Sequence, residues 1–347
     1  MSEAEILFGR AGTVGHVMLN RPKALNALTL GMVRALDAQM KAWAGDASVR
    51  AIVARGAGER AFCAGGDIAA LYQDRFGVGR DFFREEYIVN RAIFRCAKPW
   101  IAILDGITMG GGVGLSVHGA MRVATEKTML AMPECGIGLF PDVGGGHYLS
   151  RLPGKLGMYL ALTGYRMKAA DCLLTGTATH YVPSARVAEL VDELDRAALD
   201  GDAKAQASAI VAKFAADPGQ APLAQHRASI DRHFAHDSVE AIAAALQADP
   251  SEWAQAQAKI LARNSPTSMK ITHRQIHDAG AMAFEAIMTM EYRISQGCMR
   301  GHDFFEGVRA LIIEKDNAPQ WQPARLQDVT PPMVEAHFTP VANDLKF

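Results

Sequence analysis

Two acidic residues stand out for their surroundings. Glu134 lies in Met132-Pro133-Glu134-Cys135-Gly136-Ile137-Gly138 and Asp142 in Phe140-Pro141-Asp142-Val143-Gly144-Gly145-Gly146, stretches otherwise made almost entirely of glycine, proline and apolar residues. A carboxylate walled by apolar groups is poorly solvated, so its pKa rises, and a second carboxylate nearby pushes in the same direction. Such a pair suits acid/base or nucleophilic work. The plain structural alternative is a capping or turn role after proline. Just upstream, Met109-Gly110-Gly111-Gly112-Val113-Gly114-Leu115 has little side chain to pack but many accessible backbone N–H groups, as an oxyanion site requires. A second small-residue run, Ala61-Phe62-Cys63-Ala64-Gly65-Gly66-Asp67-Ile68, would let a ligand approach the main chain closely. Taken alone, it reads equally as a strand-to-helix turn capped by Asp67.

The elements that must position these residues follow from periodicity. Val14 to Leu19, Val49 to Ala54, Trp100 to Leu104 and Met121 to Thr125 read as strands from their β-branched and apolar content. Leu28 to Trp43 reads as a helix with Leu28, Met32, Leu36 and Met40 on one face. A helix over Val113 to His118 would place the glycine-run N–H groups at its start, where the dipole favours anionic charge. The alternation of strand, turn and helix predicts an α/β layer architecture. Composition changes near Leu190, after which alanine, glutamine, lysine and aspartate dominate. The spacings Val211-Phe214-Ala215 and Ile242-Leu246 are helical, and Asn264-Ser265-Pro266-Thr267 places proline near the start of a further helix. The expected organisation is a core with the active site over 1–190 and a mainly helical region over 191–347.

The 347 residues carry 36 Lys and Arg against 37 Asp and Glu, a formal net charge of −1. No nucleic-acid footprint or membrane-surface patch is implied, and a small pocket-bound substrate fits better. The five cysteines, Cys63, Cys96, Cys135, Cys172 and Cys298, are odd in number, scattered and without a C-x-x-C pair. Reduced thiols are expected rather than a disulfide framework or zinc knuckle. The acidic N-terminus lacks the n- and h-regions of a signal peptide, and no apolar run is long enough to cross a bilayer. A cytoplasmic protein is the resulting expectation.

Other arrangements fail on spacing. Ser116 and His118 are two apart, so on a helix they point to different sides and form no dyad, and Gly114 to His118 misses the G-x-S-x-G elbow at its last position. Neither G-x-G-x-x-G nor G-x-x-x-x-G-K-[ST] occurs. His273 and His277 are one helical turn apart but lack the H-E-x-x-H glutamate and an evident third ligand, so no metal is expected.

The segments Asn20-Arg21-Pro22-Lys23-Ala24-Leu25-Asn26-Ala27, Phe62 to Ile68, Gly110-Gly111-Gly112 and Met132-Pro133-Glu134 together resemble the crotonase (enoyl-CoA hydratase/isomerase) superfamily. Within it, Phe83-Arg84-Glu85-Glu86-Tyr87, Gly106 to Gly119, Gly138 to Gly146, Ser265-Pro266-Thr267-Ser268, Met290-Glu291-Tyr292-Arg293 and Met299 to Phe304 are most similar to the 3-hydroxyisobutyryl-CoA hydrolase subfamily. The resemblance covers nearly the whole chain. It implies a crotonase-like spiral of ββα units with an extended helical C-terminal region. The thioester oxygen would be held by the N–H groups of Gly66 and Gly111, and CoA would be lined by Lys23, Ala24, Ala64, Gly66, Asp67 and Ile68. It implies no cofactor, since CoA belongs to the substrate, and it allows a homo-oligomer. Hydratases of the superfamily carry a first catalytic glutamate at the position of Gly114, so two flanking glutamates are not available here. The resemblance instead implies thioester hydrolysis, within valine degradation, with Glu134 as nucleophile or general base and Asp142 in support. Glu86, which reads on its own as a solvated helix charge, matches a substrate-binding glutamate, alongside Gly111, Glu134 and Asp142. An enoyl-CoA hydratase or isomerase is the alternative, and a non-catalytic acyl-CoA-binding protein is a third.

Overall fold

The apolar, β-branched runs of the first half do form strands. In the computed structural model, which describes residues 4–74 and 77–347, the strands are β1 (Ile6–Ala11), β2 (Val14–Leu19), β3 (Ala51–Gly56), β4 (Ala61–Cys63), β5 (Trp100–Leu104), β6 (Ile107–Met109), β7 (Met121–Ala124), β8 (Met129–Ala131) and β9 (His180–Tyr181). Six of them make one sheet in the order β1-β2-β3-β5-β7-β9, and three make another in the order β4-β6-β8. β1 and β2 pair antiparallel, whereas the β2–β3, β3–β5, β5–β7 and β7–β9 pairings are parallel. The central parallel strand β5 is continuously apolar because both of its faces are covered: all five of its residues are buried.

Three times in succession a strand of the large sheet is followed by one of the small sheet: β3 by β4, β5 by β6 and β7 by β8. Each repeat ends in a turn leading towards a helix, the ββα unit of a crotonase-like spiral. Gly66 follows β4, Gly111 follows β6 and Glu134 follows β8.

Two compact units are built from interleaved stretches of chain. The first comprises Met1–Gly66, Ile88–Leu130 and Arg166–Ala224, the second Asp67–Tyr87, Ala131–Tyr165 and Gln225–Phe347. In the first, Val14, Val53, Ile101, Ile103 and Val123 of the large sheet pack with Leu190, Val191 and Leu194 of helix Val187–Arg196 and with Val211 and Phe214 of helix Ala203–Phe214. The compositional change at Leu190 thus lies inside this core. Helix Leu30–Gly45, capped by Thr29, buries Met32, Val33, Leu36, Met40 and Trp43; the expected Met32, Leu36 and Met40 share this face, while Leu28 is buried just before the cap and outside the helix. The helix expected over 113–118 differs: its regular part is the single turn Gly111–Gly114. The chain then continues through turns such as Val117 N–H to the Val113 carbonyl (2.8 Å).

The second unit is largely helical. Ser265 caps helix Pro266–Ala279 through Ser268 N–H, with Pro266 opening it, a position where proline loses no helical hydrogen bond. Helix Phe284–Arg300 buries Ile287, Met288, Glu291, Ile294 and Ser295 along its inner side. Among the described residues no helix is long and apolar enough to cross a membrane.

Candidate active site

Within the second unit the fold gathers carboxylates that the sequence spreads over more than two hundred positions. Glu86 sits on helix Val78–Phe94, four residues after the buried Phe82, and is only 2% exposed. A solvated helix charge is therefore excluded. Glu134 begins the 3-10 turn Glu134–Ile137 and is 5% exposed, and Asp142 is 3% exposed. Tyr87 donates its phenol to Asp142 Oδ2 at 2.8 Å. One oxygen of Glu86 (Oε1) and one of Glu134 (Oε2) are buried without a hydrogen-bond partner. Buried polar atoms are usually paired, so these two are open acceptors.

Burial sets the electrostatics. It pushes Glu134 well above the ordinary carboxylate range, and the Asp142 charge adds to the rise. Glu86 is pushed the same way by burial, then by Asp142 and Glu134. Asp142 is raised to about 7 by burial, against the opposing pull of the Tyr87 hydrogen bond. Carboxylates packed this way resist simultaneous ionisation and share protons as a group. Once ionised, these oxygens are basic and poorly solvated.

A second layer fixes the turn that carries Asp142. Glu291, fully buried on helix Phe284–Arg300, accepts Gly144 N–H at 2.7 Å and Gly146 N–H at 2.8 Å on its two oxygens. Gln275 Nε2 donates to Glu291 Oε1 (3.0 Å) and to the Pro141 carbonyl (2.7 Å). Burial pushes the Glu291 carboxyl up to about 8, while the two backbone N–H bonds pull it down. Val143 (φ 52°) and Gly144 (φ 83°) are both left-handed, an uncommon conformation for a β-branched residue and one maintained only where surrounding bonds over-determine it.

The glycine turns belong to the first unit. Gly65 has φ 116°, and a side chain there would come within 3.6 Å of the Met109 carbonyl and 3.9 Å of Gly111 N, so the turns after β4 and β6 lie side by side. A methyl group on Gly112 would collide with the Cys63 carbonyl. Gly111 opens its helical turn, where a backbone N–H has no acceptor within the helix. Lys23 and Ala24 form an exposed 3-10 turn, Pro22–Ala24. The neighbouring loop is tied down by buried Asn26, whose Nδ2 donates to the Ala57 and Ala61 carbonyls (3.0 and 2.8 Å). Ala64 N–H bonds to the Leu25 carbonyl and Leu28 N–H to the Gly65 carbonyl, so Lys23, Ala24 and Ala64 share one rim. Asp67 caps helix Ile68–Gln73 by accepting Ala70 N–H at 3.3 Å, and Ile68 is half-buried.

Ser116 turns its hydroxyl onto the Gly112 carbonyl (2.9 Å), and the His118 ring packs edge-on against Phe94. His273 Nε2 meets the His236 carbonyl at 3.2 Å, and His277 lies beside Asp278. Among the described residues no cluster suited to a metal ion is formed. Sequence reasoning gave no chemical role to Tyr87, Gln275 or Glu291. The available signal for Glu291 was its place on an apolar helix face, between Ile287, Met288 and Ile294.

The chain's relatives agree with this architecture. The family model for enoyl-CoA hydratase/isomerase matches residues 14–338. A 3-hydroxyisobutyryl-CoA hydrolase of Xenopus laevis is 49% identical over 98% of this chain and 90% of that protein. The Homo sapiens 3-hydroxyisobutyryl-CoA hydrolase is 47% identical over 99% and 91%. Both are named mitochondrial, which overturns the cytoplasmic expectation drawn from the N-terminal sequence. Among solved structures, a carnitinyl-CoA dehydratase from Mycobacterium thermoresistibile is 41% identical, with a TM-score of 0.94 over 99% of both chains. An enoyl-CoA hydratase from Rhodobacter sphaeroides is 36% identical, with a TM-score of 0.91 over 99% of this chain and 100% of that one. With its spiral of paired strands and a match spanning almost its whole length, the chain belongs to the enoyl-CoA hydratase/isomerase (crotonase) family.

Proposed function

We propose that this chain hydrolyses the thioester of 3-hydroxyisobutyryl-CoA to 3-hydroxyisobutyrate and free CoA, a step of valine degradation. The observation that carries the reading is Glu134, a buried carboxylate with one oxygen unpartnered, in a chain that has glycine at position 114. Adding water across a double bond in this family uses two glutamates. Cleaving a thioester needs one basic oxygen. Glu134 either attacks the thioester carbonyl, giving a mixed anhydride that water then opens, or takes a proton from the attacking water. In both routes the C–S bond breaks and the sulfur leaves as the CoA thiolate, which is then protonated.

The N–H groups of Gly66 and Gly111 are assigned to the thioester oxygen, where each such donor contributes about 2.7–4 kcal/mol to the transition state. Asp142, held by Tyr87, orients Glu134 or the water, and the open oxygen of Glu86 accepts the substrate hydroxyl. Lys23, Ala24 and Ala64 are assigned to CoA, continuing through Gly66, Asp67 and Ile68. The dehydratase and hydratase names of the solved relatives favour a second reading, hydration of an enoyl-CoA. A thiol-release assay over an acyl-CoA panel separates the two. Release of CoA from 3-hydroxyisobutyryl-CoA is expected. Hydration of crotonyl-CoA without thiol release from the hydroxyacyl thioester would overturn the proposal.

A further inference from the structure

Glu291 is a fully buried acid whose two oxygens are both engaged by the turn that carries Asp142. Its Oε2 accepts Gly144 N–H at 2.7 Å, and its Oε1 accepts Gly146 N–H at 2.8 Å and Gln275 Nε2 at 3.0 Å. Gln275 closes the other end of the turn on the Pro141 carbonyl. Every contact is an N–H donor, so the site fits a carboxylate and mismatches an amide, which would turn an NH2 against a backbone N–H. Between these anchors Val143 and Gly144 are both left-handed, which directs the chain so that Asp142 meets the Tyr87 phenol. A neutral core side chain would fill the volume but leave two buried N–H groups unpaired, which buried backbone donors rarely are.

We propose that Glu291 is a positioning residue for the hydrolysis, holding the Asp142 turn in its left-handed form so that the Asp142 carboxylate stays on Tyr87 and within the acid cluster. This rests on the reading of the chain as a thioester hydrolase in which Asp142 takes part. Displacing a reacting or orienting group by about 1 Å reduces rate by up to roughly 10²-fold. Glu291→Gln is therefore expected to lower kcat by about 10–10²-fold while KM changes by less than about threefold. Acting only through Asp142, it should add little to a chain that already lacks that carboxylate. The double variant Asp142→Asn/Glu291→Gln should turn over within about twofold of Asp142→Asn alone.

A readout independent of turnover is the 13Cζ NMR signal of Tyr87, assigned by its loss in Tyr87→Phe, which should shift in Glu291→Gln. Should that variant not fold, Gly146→Ala perturbs the same contact, because its methyl would sit 3.0 Å from Glu291 Oε1 and 3.2 Å from Ile287 Cγ2. The same kcat-selective loss, about three- to tenfold, is expected there. An unmoved Tyr87 signal with kcat within about twofold of wild type would overturn the proposal, as would losses that multiply in the double variant. A wild-type chain that releases no thiol from 3-hydroxyisobutyryl-CoA would instead defeat the hydrolase reading, and the Tyr87 signal would still decide the role of Glu291.

Discussion

Replacing Asp142 by asparagine should stabilise the folded chain relative to wild type increasingly as pH rises. Asp142 is 3% exposed, and burial raises its carboxyl from an ordinary 3.8 to about 7. Between those values the native chain keeps a proton that the unfolded chain has released, so stability falls as pH climbs through this window. Below about pH 4 both states are protonated and the contribution is intact. Above about pH 7 it is lost. At about 1.4 kcal/mol for each tenfold in acidity, the full window corresponds to about 4 kcal/mol. Asparagine mimics the protonated acid and can still accept the Tyr87 phenol, but it does not titrate. Any fixed penalty for its amide is the same at every pH. Relief of the charge on Glu134 and Glu86, both raised in part by Asp142, acts in the same direction. Denaturant unfolding of both proteins at pH 5 and pH 8 reads the change directly. The variant should gain on wild type by about 2–4 kcal/mol between the two. A stability difference that stays constant across this range would mean that Asp142 ionises as if in water, and the argument from its burial would fail.

Three further outcomes follow from the geometry. Glu134→Gln should reduce thiol release by about 10²–10⁴-fold with little change in KM, and in the wild type kcat should rise with pH along a limb with its midpoint above 4.5, since burial raises Glu134; unchanged turnover in the variant would remove Glu134 from the chemistry. Gly112→Ala must move the turn after β6 away from the Cys63 carbonyl, so kcat should fall by about 10²–10³-fold, the worth of one oxyanion donor, with the circular dichroism of the sheets retained; full activity would show that the turn is not part of the site. All five cysteines are free, and only Cys96 is better than buried, with Cys135 and Cys172 pushed up to about 12 by burial. A thiol-reactive chromogen should label about one cysteine quickly in the native chain and all five after denaturation; several fast native thiols would contradict the packing.

Local signals carried much of the molecule. The strands at Val14–Leu19 and Trp100–Leu104 and the start of helix Pro266–Ala279 were readable because β-branched runs and a serine–proline cap act over a few residues. The burial of Glu134 and Asp142 was readable because acids set among glycine and apolar residues have few polar neighbours to solvate them. Glu86 was not separable from its neighbours Arg84 and Glu85 without the family resemblance, because its burial depends on packing far along the chain. The short helix at Gly111–Gly114 escaped because the regular hydrogen bonding ends within one turn, where the Trp100 indole N–H donates to the Leu115 carbonyl (2.8 Å). Tyr87, Gln275 and Glu291 were invisible as a group for a different reason: their partners lie 55, 134 and 147 positions away, and no periodicity links them.

The interleaving of the two compact units sets the order in which this site comes into being. Glu86, Asp142 and Glu291 lie on the first, second and third stretches of the second unit, so ribosomal synthesis delivers them in turn. Glu291 leaves the ribosome about 150 residues after Asp142, roughly 7–30 s later at about 5–20 residues per second. For that interval the Gly144 and Gly146 N–H groups have no carboxylate to receive them. A nascent chain, or one cut short before helix Phe284–Arg300, therefore carries Asp142 without the carboxylate that ties down its turn, and the group of buried acids is complete only when the C-terminal helices arrive.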